Sequence, residues 1–389
     1  MIQRIARAAL LRLASQFPII GITGTRQSGK TTLAKMTFPD KKYVTLDDKN
    51  MRELAISNPE DFIKAFPDGA IIDEAQKVPE IFDALKFHID STNFTPGKFI
   101  LTGSSQFRLR KNMTDSLAGR AAFLKLLPLS IQELKNAGVL PDNPYDFIYN
   151  GQYPPLYDRD KHFITDDWYE SYIDTYLDLD VKDQINESNL STFRKFIQIC
   201  AVYSGQLLSM DSIAKQIGMS QPTIKSWLSI LESSYIIHLL EPDSNNLGRS
   251  VVKTPKLYFT DSGLLSHLLR LESKEDLLLS RYKGAVVETA AVAEMMKYRM
   301  NQGKQSNLTF FRDSNGFEVD TIADWKHTFA IEIKSNSDTE AKLSANTKKY
   351  LALRQDEDAR NAVLYLGDTT MNINGTIYIG WQDWVAGLE

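Results

Sequence analysis

A glycine-rich segment near the start of the chain has the residue types and the spacing of a phosphate-binding loop. Gly24, Gly29, Lys30 and Thr31 fit the pattern G-x-x-x-x-G-K-[ST]. In such a loop the backbone N–H groups close around phosphate oxygens, the lysine reaches the β- and γ-phosphates, and the next hydroxyl binds Mg²⁺. The segment therefore predicts binding of ATP together with Mg²⁺. The other loop residues expected to contact the nucleotide are Thr25, Arg26, Gln27, Ser28 and Thr32.

Two adjacent carboxylates follow a second apolar run, residues 70–72. Asp73 is expected to help hold Mg²⁺. Glu74 stands where a carboxylate can orient and deprotonate the attacking water. An apolar run before two acids is a weak signal alone, but it gains weight downstream of a phosphate loop. The pair predicts that ATP is hydrolysed to ADP and phosphate.

Small hydroxyl residues end a further predicted strand, residues 98–105. If this strand lies between the loop strand and the strand before Asp73, Thr102 or Ser104 could contact the γ-phosphate or the water. Turn chemistry after a strand is the alternative.

The last predicted strand of this region, residues 120–127, opens with an arginine, Arg120. It could stabilise charge on the phosphoryl group bound to a neighbouring subunit, which implies a homo-oligomer. A structural salt bridge is an equally good explanation, so both interpretations remain open.

A second set of charged residues lies near the C-terminus. Glu332 and Lys334 fall on the same face of a predicted strand because side chains alternate there, and the preceding hairpin can bring Asp320 alongside. Two carboxylates can hold Mg²⁺, while the lysine stabilises or deprotonates a water beside a phosphodiester. The pattern is short, however, and alternating Glu and Lys are common on exposed strands.

Helices and strands at the expected places would position these residues. Residues 18–23 predict a buried strand before the loop and residues 31–36 a helix after it, whose positive end attracts phosphate. Residues 41–47 predict a second strand, and residues 50–65 predict a helical stretch that is interrupted near Pro59. Strands are predicted at residues 308–312, 317–323, 329–334 and 362–367. One helix is predicted at residues 283–300. Another is predicted after Lys334 and extends to about residue 354.

The middle of the chain predicts helices of two kinds. Residues 169–176 place Tyr169, Tyr172 and Tyr176 at helical spacing, which favours a buried face of a lid helix packed on the ATPase. Residues 210–231 predict a helix-turn-helix, with Gly218 in the turn and Ser220 as a cap. Its outward residues would be Gln221, Thr223, Lys225 and Ser226, and residues 256–260 would form a wing strand.

Length and composition limit the number of domains and the classes of protein to which the chain can belong. A chain of 389 residues predicts two or three domains, and its net charge of −4 divides into +6 over residues 1–140, −9 over 141–190, +3 over 191–260 and −4 over 261–389. The single cysteine excludes an intramolecular disulfide and favours a reducing cytoplasm. Without an apolar stretch of membrane length, we expect no membrane partner.

The N-terminal motifs together resemble those of the AAA-type ATPases. More narrowly, the chain is similar over nearly its whole length to one bacterial and archaeal family of predicted ATP-binding proteins. The segments that carry this likeness are residues 17–32, 73–79, 101–105, 116–120 and 127–130. The resemblance implies an α/β fold with a parallel-sheet P-loop domain (1–140), a helical lid or connector (141–190), a winged helix (191–272) and a C-terminal domain similar to restriction endonucleases (273–389).

The C-terminal charged set looks like the D…E-x-K core of restriction-endonuclease-like enzymes. Glu288, on the helix predicted before the strands, matches an additional carboxylate seen in many of them. We therefore expect an Mg²⁺-dependent ATPase that couples its nucleotide state to DNA. A metal-dependent nuclease regulated by ATP, and a nucleotide-gated protein-interaction or defence switch, are the alternatives.

Overall fold

The structure is a computed structural model. It describes residues 1–92, 95–103, 109, 113–182, 184–243, 251–339, 341–356 and 358–388. Contacts divide the chain into two compact units. The first unit comprises Met1–Leu129, Ser233–Tyr235 and Arg299–Lys304, and the second comprises Ser130–Glu232, Ile236–Tyr298 and Gln305–Glu389. The division into four parts along the chain stays a prediction.

The first unit is built on a five-stranded parallel sheet with the order β2-β3-β4-β1-β5. Its strands are β1 (Ile19–Thr23), β2 (Lys42–Thr45), β3 (Ala70–Asp73), β4 (Phe99–Thr102) and β5 (Ala121–Lys125). Its helices within the described residues are α1 (Arg7–Ala14), α2 (Lys30–Thr37), α3 (Lys49–Ser57), α4 (Pro59–Lys64) and α5 (Glu80–Ser91).

Both faces of the central strands β1, β3 and β4 are buried, as their apolar residues predict. Alternate residues of one strand enter different cores: Ile19 packs with the cluster that includes Phe82, whereas Ile20 packs with the cluster that includes Leu10. The strand β4 lies between β1 and β3, which confirms the expected order. Because all five strands are parallel, the ends of β1, β3 and β4 meet at one edge of the sheet.

The break in the helical segment before β3 has a local cause. Asn58 caps α4 by accepting a hydrogen bond from the N–H of Asp61, and Pro59 occupies the first helical position. A proline is tolerated there because its missing N–H needs no partner in the first turn. The predicted interruption near Pro59 is confirmed.

Most residues of the remaining elements lie in the second unit. The helices are α6 (Ile131–Asn136), α7 (Pro144–Asn150), α8 (Thr165–Tyr176), α9 (Leu190–Val202), α10 (Met210–Ile217), α11 (Gln221–Ser233), α12 (Ser262–Leu268), α13 (Lys274–Leu279), α14 (Lys283–Asn301) and α15 (Ala345–Arg354). A small sheet has the order β6-β8-β7, formed by β6 (Gln206–Leu207), β7 (Ile237–Leu240) and β8 (Lys256–Phe259).

The helix-turn-helix elements occur where the sequence placed them. Gly218 ends α10 in the left-handed conformation, at φ 75°, and the Ser220 hydroxyl accepts a hydrogen bond from the N–H of Thr223 at 3.3 Å. On α11, Gln221, Lys225 and Ser226 are exposed, Thr223 is half-buried, and the apolar residues Ile224, Leu228 and Leu231 are buried.

The aromatic face of α8 is buried within the second unit. The Tyr153 hydroxyl donates to the Tyr172 hydroxyl at 2.9 Å, and the Tyr169 hydroxyl donates to Oδ1 of Asp261 at 2.7 Å. Tyr153 lies in the segment between α7 and α8, and Asp261 directly precedes α12. The burial of this face agrees with its helical spacing. The packing of a lid helix on the ATPase stays a prediction.

The C-terminal part of the second unit has a mixed sheet of order β13-β14-β12-β11-β10-β9. Its strands are β9 (Leu308–Arg312), β10 (Glu318–Asp324), β11 (Thr328–Ile333), β12 (Arg360–Leu364), β13 (Met371–Ile373) and β14 (Thr376–Ile379). Four of them lie close to the predicted positions, whereas β13 and β14 were missed. Asn374 and Gly375 join these two with φ of 51° and 78°, the Asn-Gly hairpin signal.

None of the helices in the described part of the chain is long and apolar enough to cross a membrane.

Candidate functional site

The phosphate loop connects β1 to α2 at the carboxyl edge of the first sheet. Gly24 and Gly29 have φ of 147° and 89°, which residues with a side chain rarely adopt. A Cβ atom at Gly24 would lie 1.9 Å from the carbonyl oxygen of Leu126. The loop therefore needs glycine at Gly24 for space and at Gly29 for its backbone conformation.

Polar groups inside this loop suit an anion. Thr25 Oγ1 and Ser28 Oγ are buried and have no hydrogen-bond partner among the described residues. The Lys30 ammonium is buried and donates to the carbonyl oxygens of Gly24, at 3.0 Å, and Thr25, at 2.7 Å. Buried hydroxyls normally have partners, so the loop can accommodate phosphate oxygens that accept from these groups.

Asp73 is the centre of a hydroxyl network at the end of β3. Thr31 Oγ1 donates to the two Asp73 carboxylate oxygens at 3.0 and 3.1 Å, and the Tyr43 hydroxyl donates to Oδ2 at 2.9 Å. The Thr102 hydroxyl donates to Oδ1. Burial, together with the hydrogen bond to Asp73 and its negative charge, raises the pKa of Tyr43 to about 12. Side chains from α2, β2 and β4 thus orient one carboxylate.

Thr31 and Asp73 form an oxygen donor pair of the kind that Mg²⁺ takes together with phosphate oxygens and water. The described residues contain no group of three or more His, Cys, Asp or Glu side chains that could hold a metal ion. The residues present fit Mg²⁺ bound jointly with a nucleotide, because the phosphates would complete the coordination.

Glu74 lies beside this network, where the backbone turns at φ 55°. The Gln76 side-chain amide donates to Oε2 of Glu74 at 2.5 Å. A Cβ atom at Gly103 would lie 2.0 Å from Oε1 of Gln76, so the absence of a side chain after β4 makes room for this amide. The carboxylate expected to act on water is therefore positioned by a neighbour that the sequence did not single out.

Arg4 is a second residue that the sequence analysis missed. Its guanidinium donates to the carbonyl oxygens of Ser28, at 2.6 Å, Leu127, at 2.7 Å, and Pro128, at 3.2 Å. Only 9% of the residue is exposed. Arg4 therefore ties the phosphate loop to the segment after β5, a contact that no local pattern in the sequence marks.

Arg120 is paired within its own chain. Its guanidinium donates to both carboxylate oxygens of Asp90 on α5, at 2.5 and 2.9 Å, and this hydrogen bonding lowers the pKa of the Asp90 carboxyl. The salt-bridge interpretation accounts for this arrangement, and the role in a neighbouring subunit stays a prediction. Ser104 lies outside the described residues, so the structure locates only Thr102 of the two sensor candidates.

The four charged residues of the C-terminal pattern lie together in the second unit. Asp320 on β10 accepts a hydrogen bond from the N–H of Ile333 at 2.9 Å, and Lys334 donates to Oε1 of Glu332 at 2.6 Å. Burial, reinforced by the charge of Asp320, raises the pKa of Glu332 to about 7. Burial also raises the pKa of Asp320.

Glu288 on α14 faces the same cluster but has different partners. Lys256 Nζ lies 3.1 Å from Oε1 of Glu288, and the Tyr258 hydroxyl donates to the same oxygen. Burial, opposed by Lys256 and reinforced by Asp320, raises the pKa of Glu288 to about 7. Both partners come from β8, which the sequence analysis assigned only to the wing.

Three family models match the chain. Residues 16–135 match the model described as AAA domain, residues 142–275 match a domain of unknown function (DUF8612), and residues 283–384 match another (DUF4143). The first match and the strand order together show an AAA-type P-loop fold in the N-terminal region. The winged-helix and restriction-endonuclease-like identifications remain hypotheses.

Curated relatives share most of the chain. An uncharacterized protein of Mycobacterium tuberculosis is 26% identical over 378 residues, which are 96% of this chain and 82% of that protein. An uncharacterized protein of Methanocaldococcus jannaschii is 23% identical over 366 residues, with 85% and 79% covered. The likeness therefore extends across all three matched segments.

Solved structures resemble the chain more distantly. The Walker-type ATPase of Pyrococcus abyssi is 14% identical with a TM-score of 0.44, covering 68% of this chain and 94% of that one. The ORC2 protein of Aeropyrum pernix in its ADP form is 16% identical with a TM-score of 0.32, covering 60% and 85%.

Proposed function

We propose that the first unit binds ATP with Mg²⁺ and hydrolyses it to ADP and phosphate. The observation that carries this proposal is the network around Asp73, which holds the Thr31 hydroxyl of the phosphate loop beside the carboxylate that precedes Glu74. Glycine-based loop geometry and two buried hydroxyls without described partners support it.

Each residue has a distinct role in the proposed reaction. Lys30, which donates to two loop carbonyls, would exchange them for β- and γ-phosphate oxygens. Thr31 and Asp73 would hold Mg²⁺, which neutralises charge on the phosphates when bound. Glu74, positioned by the Gln76 amide, would orient the attacking water and take its proton.

Two substitutions test the assignment in the purified full chain. Lys30→Ala should abolish ATP binding or phosphate release. Glu74→Gln should keep ATP binding but stop phosphate release, because the amide cannot accept the proton. Glu53→Gln, an exposed acid on α3, is the matched control and should behave as wild type. A fully active Glu74→Gln protein would show that Glu74 is not the general base.

The proposal extends to coupling between the nucleotide state and DNA in the cytoplasm. Support comes from α11, the second helix of the helix-turn-helix, where Gln221, Lys225 and Ser226 are exposed. Fluorescence anisotropy with labelled duplex DNA at low salt, with ATP and with ADP, tests it. Lys225→Ala should weaken binding more than Lys215→Ala on the neighbouring helix α10. Absence of binding at low salt would favour the nucleotide-gated protein-interaction switch.

A second candidate function is metal-dependent cleavage of DNA by the C-terminal cluster. Oε2 of Glu332 is buried and has no partner among the described residues, while Lys334 donates to Oε1 of the same side chain. Asp320 and Glu332 fit a divalent ion that keeps water and phosphate ligands. When bound, the ion would activate water near a phosphodiester.

Plasmid DNA with Mn²⁺ or Mg²⁺ tests this candidate. Wild type should cleave the plasmid, Glu332→Ala should not, and Glu275→Gln, an exposed acid on α13, should match wild type. Equal cleavage by wild type and Glu332→Ala would reject the site.

A further inference from the structure

A lysine from β8 lies inside the C-terminal carboxylate cluster. Lys256 Nζ is 2.5 Å from Oε1 of Glu318 and 3.1 Å from Oε1 of Glu288. Only 2% of the Lys256 side chain is exposed. Two carboxylates therefore bind one buried ammonium group.

The surrounding structure keeps this ammonium in place. Lys256 pairs with Leu240 of β7 and Leu207 of β6, so both neighbouring strands hold its backbone. Tyr258 projects from the same face of β8, since side chains alternate along a strand, and its hydroxyl donates to the same oxygen of Glu288. The Phe310 ring lies 5.5 Å from the ammonium. The ammonium therefore extends from a strand that is paired on both sides, next to a second donor to Glu288.

Direct hydrogen bonds and ion pairs divide the carboxylates into two pairs. The charge of Lys256 also reaches Asp320, where it opposes the rise in pKa that burial causes. Glu288 and Glu318 share Lys256, and Glu318 also accepts from Arg312 at 2.9 Å. Asp320 and Glu332 are instead served by the N–H of Ile333 and by Lys334. A carboxylate that is largely removed from water is stable only when its charge is compensated. For Glu288 the Lys256 ammonium supplies that compensation, and for Glu318 it shares the role with Arg312.

We infer that Lys256 is an internal cation that takes the place of a second divalent metal ion in this cluster. While Lys256 is in position, Glu288 and Glu318 are not metal ligands. Any divalent ion is then confined to Asp320 and Glu332, the pair used in the second candidate function. The role of Lys256 as the cation for Glu288 does not depend on that candidate.

Counting bound Mn²⁺ tests the inference. The full chain, without nucleotide and with Asp73→Asn to remove the metal ligand of the first unit, serves as the parent, and electron paramagnetic resonance measures free Mn²⁺. Adding Lys256→Met should raise the number of bound Mn²⁺ by one per chain. Adding Glu288→Gln and Glu318→Gln to that protein should return the number to that of the parent.

A second measurement does not depend on the folding of Lys256→Met. With Lys256 present, Glu288→Gln and Glu318→Gln should leave Mn²⁺ binding of the parent unchanged. Loss of a bound ion would show that one of these residues is a ligand and would overturn the inference, as would an unchanged count in folded Lys256→Met.

Thermal unfolding supplies a readout that is independent of catalysis. Mn²⁺ should raise the Tm of Lys256→Met in a concentration-dependent manner, because a ligand that binds only the native state stabilises it. The variant that also lacks both carboxylates should show only the shift of the parent. The parent could also bind no Mn²⁺ while the Lys256→Met protein binds one ion. That result would reject the nuclease candidate and support the inference about Lys256.

Discussion

The Thr102 hydroxyl donates to the Asp73 carboxylate, and this bond joins the ends of β4 and β3. The sequence left Thr102 and Ser104 as alternative contacts for the γ-phosphate or the water. The structure gives Thr102 a hydrogen-bond partner, Asp73. Asp73 receives three side-chain hydroxyls in all among the described residues. The orientation of this carboxylate therefore depends on β4 as well as on the phosphate loop.

Thr102→Val should weaken productive binding of Mg²⁺ and ATP. Valine keeps the shape of threonine but cannot donate, and a hydrogen bond to a charged group contributes about 1.5–3 kcal/mol. We expect kcat/KM for ATP to fall roughly 10- to 100-fold. Thr37→Val is the matched control, because its hydroxyl is buried and donates to the Leu33 carbonyl instead. Equal effects of the two substitutions in steady-state assays would contradict a specific role for Thr102.

Arg4→Met should raise the Kd for ATP, because the Ser28 carbonyl loses its donor and the loop loses its tie to Leu127. A loss of about 1.4 kcal/mol corresponds to roughly tenfold weaker binding. Titration with a fluorescent ATP analogue measures this, and Arg4→Lys should recover part of the affinity. Arg7→Met, at an exposed position in α1, is the control. A lower Tm with unchanged ATP affinity would mean that Arg4 only supports the fold.

Replacing Arg120 should change turnover no more than replacing its partner. Because Arg120 and Asp90 form an exposed pair within one chain, we expect Arg120→Ala and Asp90→Ala to retain wild-type phosphate release. Exposed ion pairs contribute little to stability, so the Tm should also change little. A loss of turnover confined to Arg120→Ala, and greater at high protein concentration, would support its action in a neighbouring subunit.

The single cysteine should report on opening of the second unit. Cys200 on α9 is 0% exposed, and burial raises the pKa of its thiol. Since the thiolate is the reactive form, a disulfide reagent at about pH 8 should label the native protein far more slowly than the denatured one, which exposes one thiol. Equal labelling rates would show that α9 is not packed as described.

The same thiol predicts a pH dependence of stability. Its folded-state pKa lies above the unfolded value of about 8.5. The stabilising contribution of Cys200 is therefore complete below about pH 8.5 and falls as the pH rises above it. Urea unfolding at about pH 7 and about pH 10 should show that the difference between wild type and Cys200→Ala shrinks at the higher pH. A constant difference would contradict the raised pKa.

Local sequence patterns were sufficient for much of the fold. The five strands of the first sheet and the position of β4 could be predicted, because strand periodicity and turn residues are properties of short segments. The pair β13 and β14 was missed although Asn374 and Gly375 carry a turn signal. These two strands are short, so they offer little alternation to read.

The sequence by itself determined which residues are proposed to act on the nucleotide, because their types and spacing are local: the glycines of the loop, Lys30, Thr31, and the adjacent Asp73 and Glu74. Only the tertiary structure decided the partners of these groups. Arg4 reaches Leu127 across 123 residues, and Lys256 reaches Glu288 across 32. Such contacts arise where chain segments distant in sequence pack together. They cannot be predicted from the spacing of side chains along a single helix or strand. The surroundings of each charge, and therefore what it can bind, followed from that packing.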